Sequence, residues 1–271
     1  MFALCYDSFE YQTVSLMVLT VNNVVKDVSV SQPLRRNGFT FKQFFVAHDR
    51  CAMKVGTDGV LLGAWAPVEQ ASRILDIGSG SGLIALMLAQ RTSAAVAIDA
   101  VELDLPAADQ AKENFQSSPW TERLNIFAQD INVVAQTHPA HYDLIVSNPP
   151  YFESAVACRD EARNTARYTQ TLTHSALLQC AEKLLMPQGV FCVVLPYELG
   201  VTLECNAHQQ GWFTVRRLAV RDRPGKALNR LLLTLSRQPA EFDFQELDLR
   251  EREGVYSPAF RALIADFYLN Y

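Results

Sequence analysis

The chain has 271 residues, 49% hydrophobic and 20% charged, with a formal net charge of −5. That balance provides ample material for a core and excludes a protein that coats nucleic acid through bulk charge, though not one with a local basic patch. The six cysteines, Cys5, Cys51, Cys158, Cys180, Cys192 and Cys205, contain no Cys-x-x-Cys pair, so buried, reduced thiols in a cytoplasmic protein and no metal site are expected.

Residues 1–33 hold one apolar run, Val14 to Val21, preceded by Asp7 and Glu10 and by no basic leader. The run is far short of the roughly 20 residues of a membrane span, and neither a span nor a secretory signal is expected there. We expect an N-terminal extension over 1–33 and a single domain over 34–271. From residue 73 short β-rich runs alternate with helical stretches. "RILDI" (73–77) is a strand, "GSGSG" (78–82) a turn and "LIALMLAQR" (83–91) a helix. "AVAIDAVE" (95–102) is the second strand, followed by the helix "PAADQAKENF" (106–115). "RLNIFAQ" (123–129) and "YDLIV" (142–146) are the third and fourth strands. "HSALLQCAEKLLM" (174–186) has apolar residues at helical spacing and is closed by Pro187 and Gly189. "VFCVVL" (190–195) is the fifth strand and "YELGVTLECNAHQQ" (197–210) the next helix. "FTVRRLAV" (213–220) and "RLLLTLSR" (230–237) follow with no helix between them.

Repeated strand–helix units with near-continuous apolar strands mean a mostly parallel sheet covered on both faces. The expected fold is α/β, a doubly wound, Rossmann-like sheet of seven strands with the last two as an antiparallel hairpin at the edge.

In "LDIGSGSG", Asp76 ends the first strand and Gly78, Gly80 and Gly82 fall in the turn that opens a helix. Glycines permit positive φ and a close approach of backbone to ligand, and the helix start offers N–H groups to an acceptor. The pattern alone is a modest signal, shared by nicotinamide, flavin and S-adenosylmethionine binders. Glu102 ends the second strand 20 residues after Gly82, where an acid accepts the hydroxyls of a ribose. Asp130 follows the third strand and is placed to meet an adenine amino group. Singly, each acid reads equally well as a solvated loop carboxylate. Three acids at successive strand ends make a ligand site, since open α/β sheets bind ligands there. Ser79, Leu103 and Ile131 beside them are counted in the same site. The alternate glycines suit a nucleoside with no pyrophosphate to cradle, and S-adenosylmethionine is the expected cofactor.

The fourth strand ends in "SNPPYF" (147–152). Asn-Pro is a common turn starter, but this one stands beside the three acids. Here the chain resembles the class I methyltransferases, and Asn148, Pro149, Pro150 and Tyr151 resemble the motif of those that methylate planar amino nitrogens. Such a nitrogen is a poor nucleophile because its lone pair is delocalised. The resemblance implies that the Asn148 side-chain oxygen and the Pro149 carbonyl accept its hydrogens and localise the lone pair. Proline rigidity keeps those acceptors aimed, and Tyr151 stacks on the base.

The stretch "RRNGFTFKQFFVAHDRCAMKVGTDGVLLGAWAP" (35–67) carries the likeness further. With "SNPPYF" and "FCVVLP", it is similar to the bacterial tRNA1(Val) (adenine-37-N6)-methyltransferase family, from about Leu34 to the C-terminus. That resemblance implies S-adenosylmethionine-dependent methylation of the N6 amino group of adenine 37 in the anticodon loop of valine tRNA. It assigns Asp76, Gly78, Gly80, Glu102 and Asp130 to the cofactor, and Asn148 to Tyr151 to catalysis. Thr57 and Asp58 in "KVGTDG" resemble contacts of a lid over the cofactor's methionine end, although a helix cap explains them equally well.

A tRNA substrate needs positive surface near the Asn-Pro-Pro-Tyr loop. One basic cluster is Arg35, Arg36, Lys42, Arg50 and Lys54. A second is Arg159, Arg163 and Arg167, four residues apart, which a helix would place on one face. The third is Arg216, Arg217, Arg221, Arg223, Lys226 and Arg230 in the late hairpin, with only Asp222 opposing nearby in sequence. Solvated faces are the plain alternative for all three. Two other functional readings stand beside this one. A protein glutamine N5-methyltransferase shares the Asn-Pro-Pro-Tyr motif, and a non-catalytic RNA-binding module would keep the basic clusters without the chemistry. A nicotinamide oxidoreductase would have no use for the motif.

Overall fold

The computed structural model describes residues 37–150 and 172–270. The expected extension over 1–33, Arg35, Arg36, Tyr151 and the arginine cluster at 159–167 lie outside these residues.

A short antiparallel hairpin, β1 (Gly38–Thr40) and β2 (Phe45–Ala47), begins the described fold. Phe41 and Phe44 at its turn stack at 4.6 Å and are buried. Helix α1 (Thr57–Trp65) follows, with seven of its nine residues buried. A helix apolar all round belongs inside a core, and this one packs on α2 (Leu83–Arg91). The helices approach closely at Gly63, where a Cβ would come within 2.7 Å of Met87 Sδ.

The strands β3 (Arg73–Ile77), β4 (Ala97–Val101), β5 (Leu124–Phe127), β6 (Tyr142–Ser147) and β7 (Leu185–Pro196) run parallel to one another. Three more, β8 (Phe213–Arg221), β9 (Leu228–Ser236) and β10 (Asp243–Asp248), complete one sheet in the order β10-β8-β9-β7-β6-β3-β4-β5. Strand β9 is antiparallel to both β7 and β8, and β10 is parallel to β8. The doubly wound sheet with a late antiparallel hairpin is therefore as expected, with one correction. Among the described residues this sheet has eight strands, not seven, and β10 covers the edge assigned to the hairpin. Its sequence, "DFQELD", is largely exposed and lacks the apolar run that marks a buried strand.

The sheet residues sort by parity. Ile74, Leu144 and Cys192 enter the core formed with α1 and α2, while Leu75, Ile145 and Phe191 enter a second core. That second core is shared with α4 (Ile131–Thr137), α5 (His174–Leu184) and α6 (Tyr197–Gln209). Successive side chains point to opposite faces and both faces are covered, so these strands read as near-continuous apolar runs. Two further helices, α3 (Leu105–Gln116) and α7 (Pro258–Ile264), pack on the α1 side, and a small hairpin pairs β11 (Arg250–Arg252) with β12 (Val255–Tyr256). The chain order reverses on either side of β3, which puts a ligand crevice at the carboxyl ends of β3 and β6.

Candidate active site

Beyond Ile77 the backbone enters the left-handed region at Gly78, Gly80 and Gly82, with φ of 71°, 53° and 79°. Side chains rarely tolerate that region. At Gly82 space matters too, since a Cβ would lie 2.4 Å from the Phe115 ring. The N–H groups of Gly78 and Ser79 both donate to the Val101 carbonyl, at 2.9 and 3.1 Å, and tie the turn to the end of β4.

Asp76 is fully buried. Its Oδ2 accepts from the Ala85 N–H at 3.2 Å, while Oδ1 has no partner among the described residues. Burial pushes its carboxyl up to about 7. Glu102 reaches back to the glycine turn, where Oε2 accepts from the Gly80 N–H at 2.8 Å, while Oε1 accepts from the Asp104 N–H at 2.9 Å. Burial raises its pKa despite those bonds. Asp130 caps α4 by accepting from the Asn132 N–H at 2.8 Å. Ile131, just after it, is buried, whereas Leu103 is largely exposed. All three acids do stand at successive strand ends.

A cavity of about 320 Å³ opens beside the turn. Its wall brings together Thr57, Asp58, Gly78, Ser79, Gly80 and Asn148, which are far apart in sequence; Met53, Lys54 and Arg230 also line it. Asp76, Gly82, Glu102, Leu103, Asp130 and Ile131 do not. Thr57 and Asp58 do not cap α1. The N-cap is Gly56, with no side-chain cap bond. The Asp58 carboxylate instead takes Arg230 Nε at 2.9 and 2.8 Å to its two oxygens.

Ser147 Oγ donates to the Ile77 carbonyl at 2.9 Å, locking the end of β6 against β3. The next residue, Asn148, has its side-chain Oδ1 buried with no partner among the described residues. Pro149 behind it is buried. Three polar atoms are thus orphaned around the crevice, Asp76 Oδ1, Ser79 Oγ and Asn148 Oδ1. Orphaned buried acceptors are costly, and a polar ligand with hydrogen-bond donors fits them.

The late arginines stand differently from their sequence reading. Arg216 lies 3.6 Å from Asp243 and 4.7 Å from the Trp65 ring, and Arg217 lies 3.7 Å from Glu204. Arg221 pairs with Glu246, and with Asp248 at 2.6 Å. Arg223 lies 3.8 Å from Asp222 and 3.6 Å from Glu253. Three of these opposing acids, Asp243, Glu246 and Asp248, come from β10, so Asp222 is not the only one. Register places Arg216 and Arg217 in mid-strand, opposite Thr234 and Leu233, whereas Arg221 ends β8 at the crevice end of the sheet. Arg50 pairs with Glu113, and Lys42 Nζ donates to the Ala265 carbonyl at 2.6 Å.

Sequence reasoning missed Gln110 and Asn114, which hold residues 47–51 onto α3. Two amides one turn apart on a helix face were the available signal. It also placed Arg230 with the basic cluster, and nothing local marks it as a partner of Asp58. Among the described residues no group of three or more His, Cys, Asp or Glu is placed to hold a metal ion, and no helix is long and apolar enough to cross a membrane.

A doubly wound sheet with this glycine turn, acids at successive strand ends and an Asn-Pro-Pro after the fourth strand is the arrangement of a methyltransferase. The methyltransferase small domain family matches residues 53–210. A crystal structure of a predicted O-methyltransferase from Agrobacterium tumefaciens shares the fold, with a TM-score of 0.62 over 78% of this chain and 96% of that one, at 17% identity. A tRNA1(Val) (adenine(37)-N6)-methyltransferase of Yersinia enterocolitica is 64% identical over 251 residues, covering 93% of this chain and 100% of that protein. One of Yersinia pestis is 66% identical over 238 residues, covering 88% and 96%. The chain belongs to the tRNA1(Val) (adenine(37)-N6)-methyltransferase family, and it is an enzyme of the methyltransferase class.

Proposed function

We propose that this enzyme transfers the methyl group of S-adenosylmethionine to the N6 amino group of adenine 37 in the anticodon loop of valine tRNA, in the cytoplasm. The observation that carries the reading is Asn148 Oδ1, buried and without a hydrogen-bond partner among the described residues, on a residue that lines the same cavity as the glycine turn. Such an acceptor, beside the glycine turn, suits a substrate amine that arrives with hydrogens to donate.

When bound, S-adenosylmethionine supplies a methyl group already activated by its sulfonium. The chain's residues have three tasks. Glu102 accepts ribose hydroxyls at the end of β4, with Leu103 beside it, and Asp130 and Ile131 meet the adenine. Thr57, Asp58 and the turn from Gly78 to Gly82 enclose the amino-acid end. Asn148 Oδ1 and the Pro149 carbonyl accept the two hydrogens of the target nitrogen, so its lone pair is localised toward the methyl group. Such acceptors cost no reorganisation at the moment of reaction, because Pro149 and Pro150 fix the backbone. Tyr151 completes the motif by stacking on the base.

An anticodon-loop base is already partly unpaired and costs little to extrude. Phosphate contacts are assigned to Arg35, Arg36, Lys42, Arg163, Arg167, Arg221 and Arg223, with Lys226. Arg216 and Arg217 are left out because they sit in mid-sheet, beside Asp243 and Glu204.

The test is incubation with labelled S-adenosylmethionine and bulk tRNA lacking the modification, followed by nucleoside analysis. N6-methyladenosine in valine tRNA is expected. Label in a protein glutamine, with none in tRNA, would move the activity to the glutamine class.

A further inference from the structure

The ion pair between Asp58 and Arg230 lies in the wall of the cavity, and neither the glycine turn nor the Asn-Pro-Pro motif explains it. Its partners are 172 residues apart in sequence. Arg230 Nε is shared between both carboxylate oxygens, and Nη1 donates to the Asn229 carbonyl at 2.7 Å. The side chains are 14% and 30% exposed, for Asp58 and Arg230 respectively. The pair is therefore mostly withdrawn from solvent yet forms part of the cavity surface.

A withdrawn ion pair is a weak source of stability, since desolvation offsets most of the Coulomb gain. Lining a ligand cavity, it presents a negative and a positive group side by side. That is the complement of an α-amino acid, whose ammonium and carboxylate are one carbon apart. Two neighbouring features favour the carboxylate on the Arg230 side. Helix α1, nine residues long, begins on this wall without a side-chain cap, so its positive end borders the cavity. Ser79 Oγ, buried and without a hydrogen-bond partner among the described residues, is a hydroxyl donor on the same wall. Lys54 also lines the cavity but is exposed, and a solvated ammonium discriminates less than a guanidinium already oriented by a partner.

We propose that Arg230 binds the carboxylate of the donor's amino-acid end while Asp58 meets its ammonium, so that the pair recognises the zwitterion and selects the intact cofactor over its nucleoside fragment. This rests on the S-adenosylmethionine reading of the site. Arg230 is then a cofactor-binding residue reached from β9, on the far side of β7 from the glycine turn.

Binding of two ligands by titration calorimetry tests the assignment. S-adenosylhomocysteine carries the amino-acid end, and methylthioadenosine has the same nucleoside and thioether without it. Arg230→Gln should weaken S-adenosylhomocysteine about tenfold or more, the scale of one charged hydrogen bond, and leave methylthioadenosine unchanged. Arg230→Lys should recover part of the loss, and Asp58→Asn should weaken only the first ligand. Equal weakening of both ligands by Arg230→Gln would make the pair a structural brace and overturn the proposal. Unchanged binding of both would overturn it too, with Lys54 the next carboxylate partner to test. If the wild type binds neither ligand, the cofactor reading itself falls. Because methylthioadenosine reports the folded nucleoside site within each variant, a folding defect is not mistaken for lost recognition.

Discussion

Asn114 presents both ends of its side-chain amide to Ala47. Its Oδ1 accepts from the Ala47 N–H at 3.0 Å, and its Nδ2 donates to the Ala47 carbonyl at 2.9 Å. Nδ2 also donates to the Ser81 carbonyl at 2.8 Å. One turn earlier, Gln110 accepts from the Arg50 N–H at 3.0 Å and donates to Asp49 at 2.8 Å. Helix α3 thus fastens the segment leading to Thr57 and Asp58 directly onto the glycine turn. Asn114→Ala would leave buried backbone groups without partners, and about 2–4 kcal/mol of stability should be lost. Urea denaturation measures this, and a loss under about 0.5 kcal/mol, the scale of an ordinary surface substitution, would show that the segment is held by its aromatic packing instead.

Asn148→Ala separates catalysis from binding. The amide oxygen has no hydrogen-bond partner among the described residues, so cofactor affinity should change little. Loss of a preorganised acceptor should slow methyl transfer on the order of 100-fold. Asn148→Asp keeps an acceptor oxygen and should retain part of the rate. A single-turnover assay at saturating cofactor with an unmodified anticodon stem-loop is the measurement, and a wild-type rate for Asn148→Ala would reduce the motif to a turn.

Asp76 makes stability pH-dependent. Its carboxyl is pushed up to about 7 in the fold, against an ordinary value of 3.8, so the native state holds a proton that the unfolded chain has released. The stability it contributes is complete below about pH 4 and is lost as the pH rises through about 7. The loss is at most about 4 kcal/mol. Asp76→Asn carries no titrating proton and should show a flatter stability profile over that window. Chemical denaturation of both proteins from pH 4 to 8 reads the difference, and parallel profiles would place the proton elsewhere.

The arginines of the late hairpin should divide by position. Replacing Arg223 and Lys226 by glutamine at the crevice-end turn should weaken tRNA binding and lower its salt slope by about one for each phosphate no longer neutralised. Arg216→Gln removes a group stacked on Trp65 and should lower stability while leaving the slope unchanged. Filter binding at several salt concentrations decides between the two sets. A reversed pattern would move the RNA to the middle of the sheet.

Much of this architecture is legible in sequence because the central strands are buried on both faces and read as unbroken apolar runs. The acids Asp76, Glu102 and Asp130 were placed for the same reason, since each lies at or just beyond the end of a strand that could be found. Strand β10 escaped because an exposed strand carries no apolar signature. With it went the acids Asp243, Glu246 and Asp248, which change the meaning of Arg216 and Arg221. The Asp58–Arg230 pair was hidden for a different reason. It depends on β9 entering the sheet beside β7, a tertiary choice that no short window of residues records.

That pair also sets a time order on making the enzyme. The partners are separated by 172 residues, which a ribosome adds in about 9 to 34 s at about 5–20 residues per second. By the later part of that interval the glycine turn, Glu102 and Asn148 already exist, yet Arg230 in the cavity wall has still to be made. A nascent chain therefore carries the glycine-turn wall of the cavity well before it can add the Arg230 side. Completion waits for the β8–β9 hairpin to leave the exit tunnel and for β9 to pair antiparallel with β7.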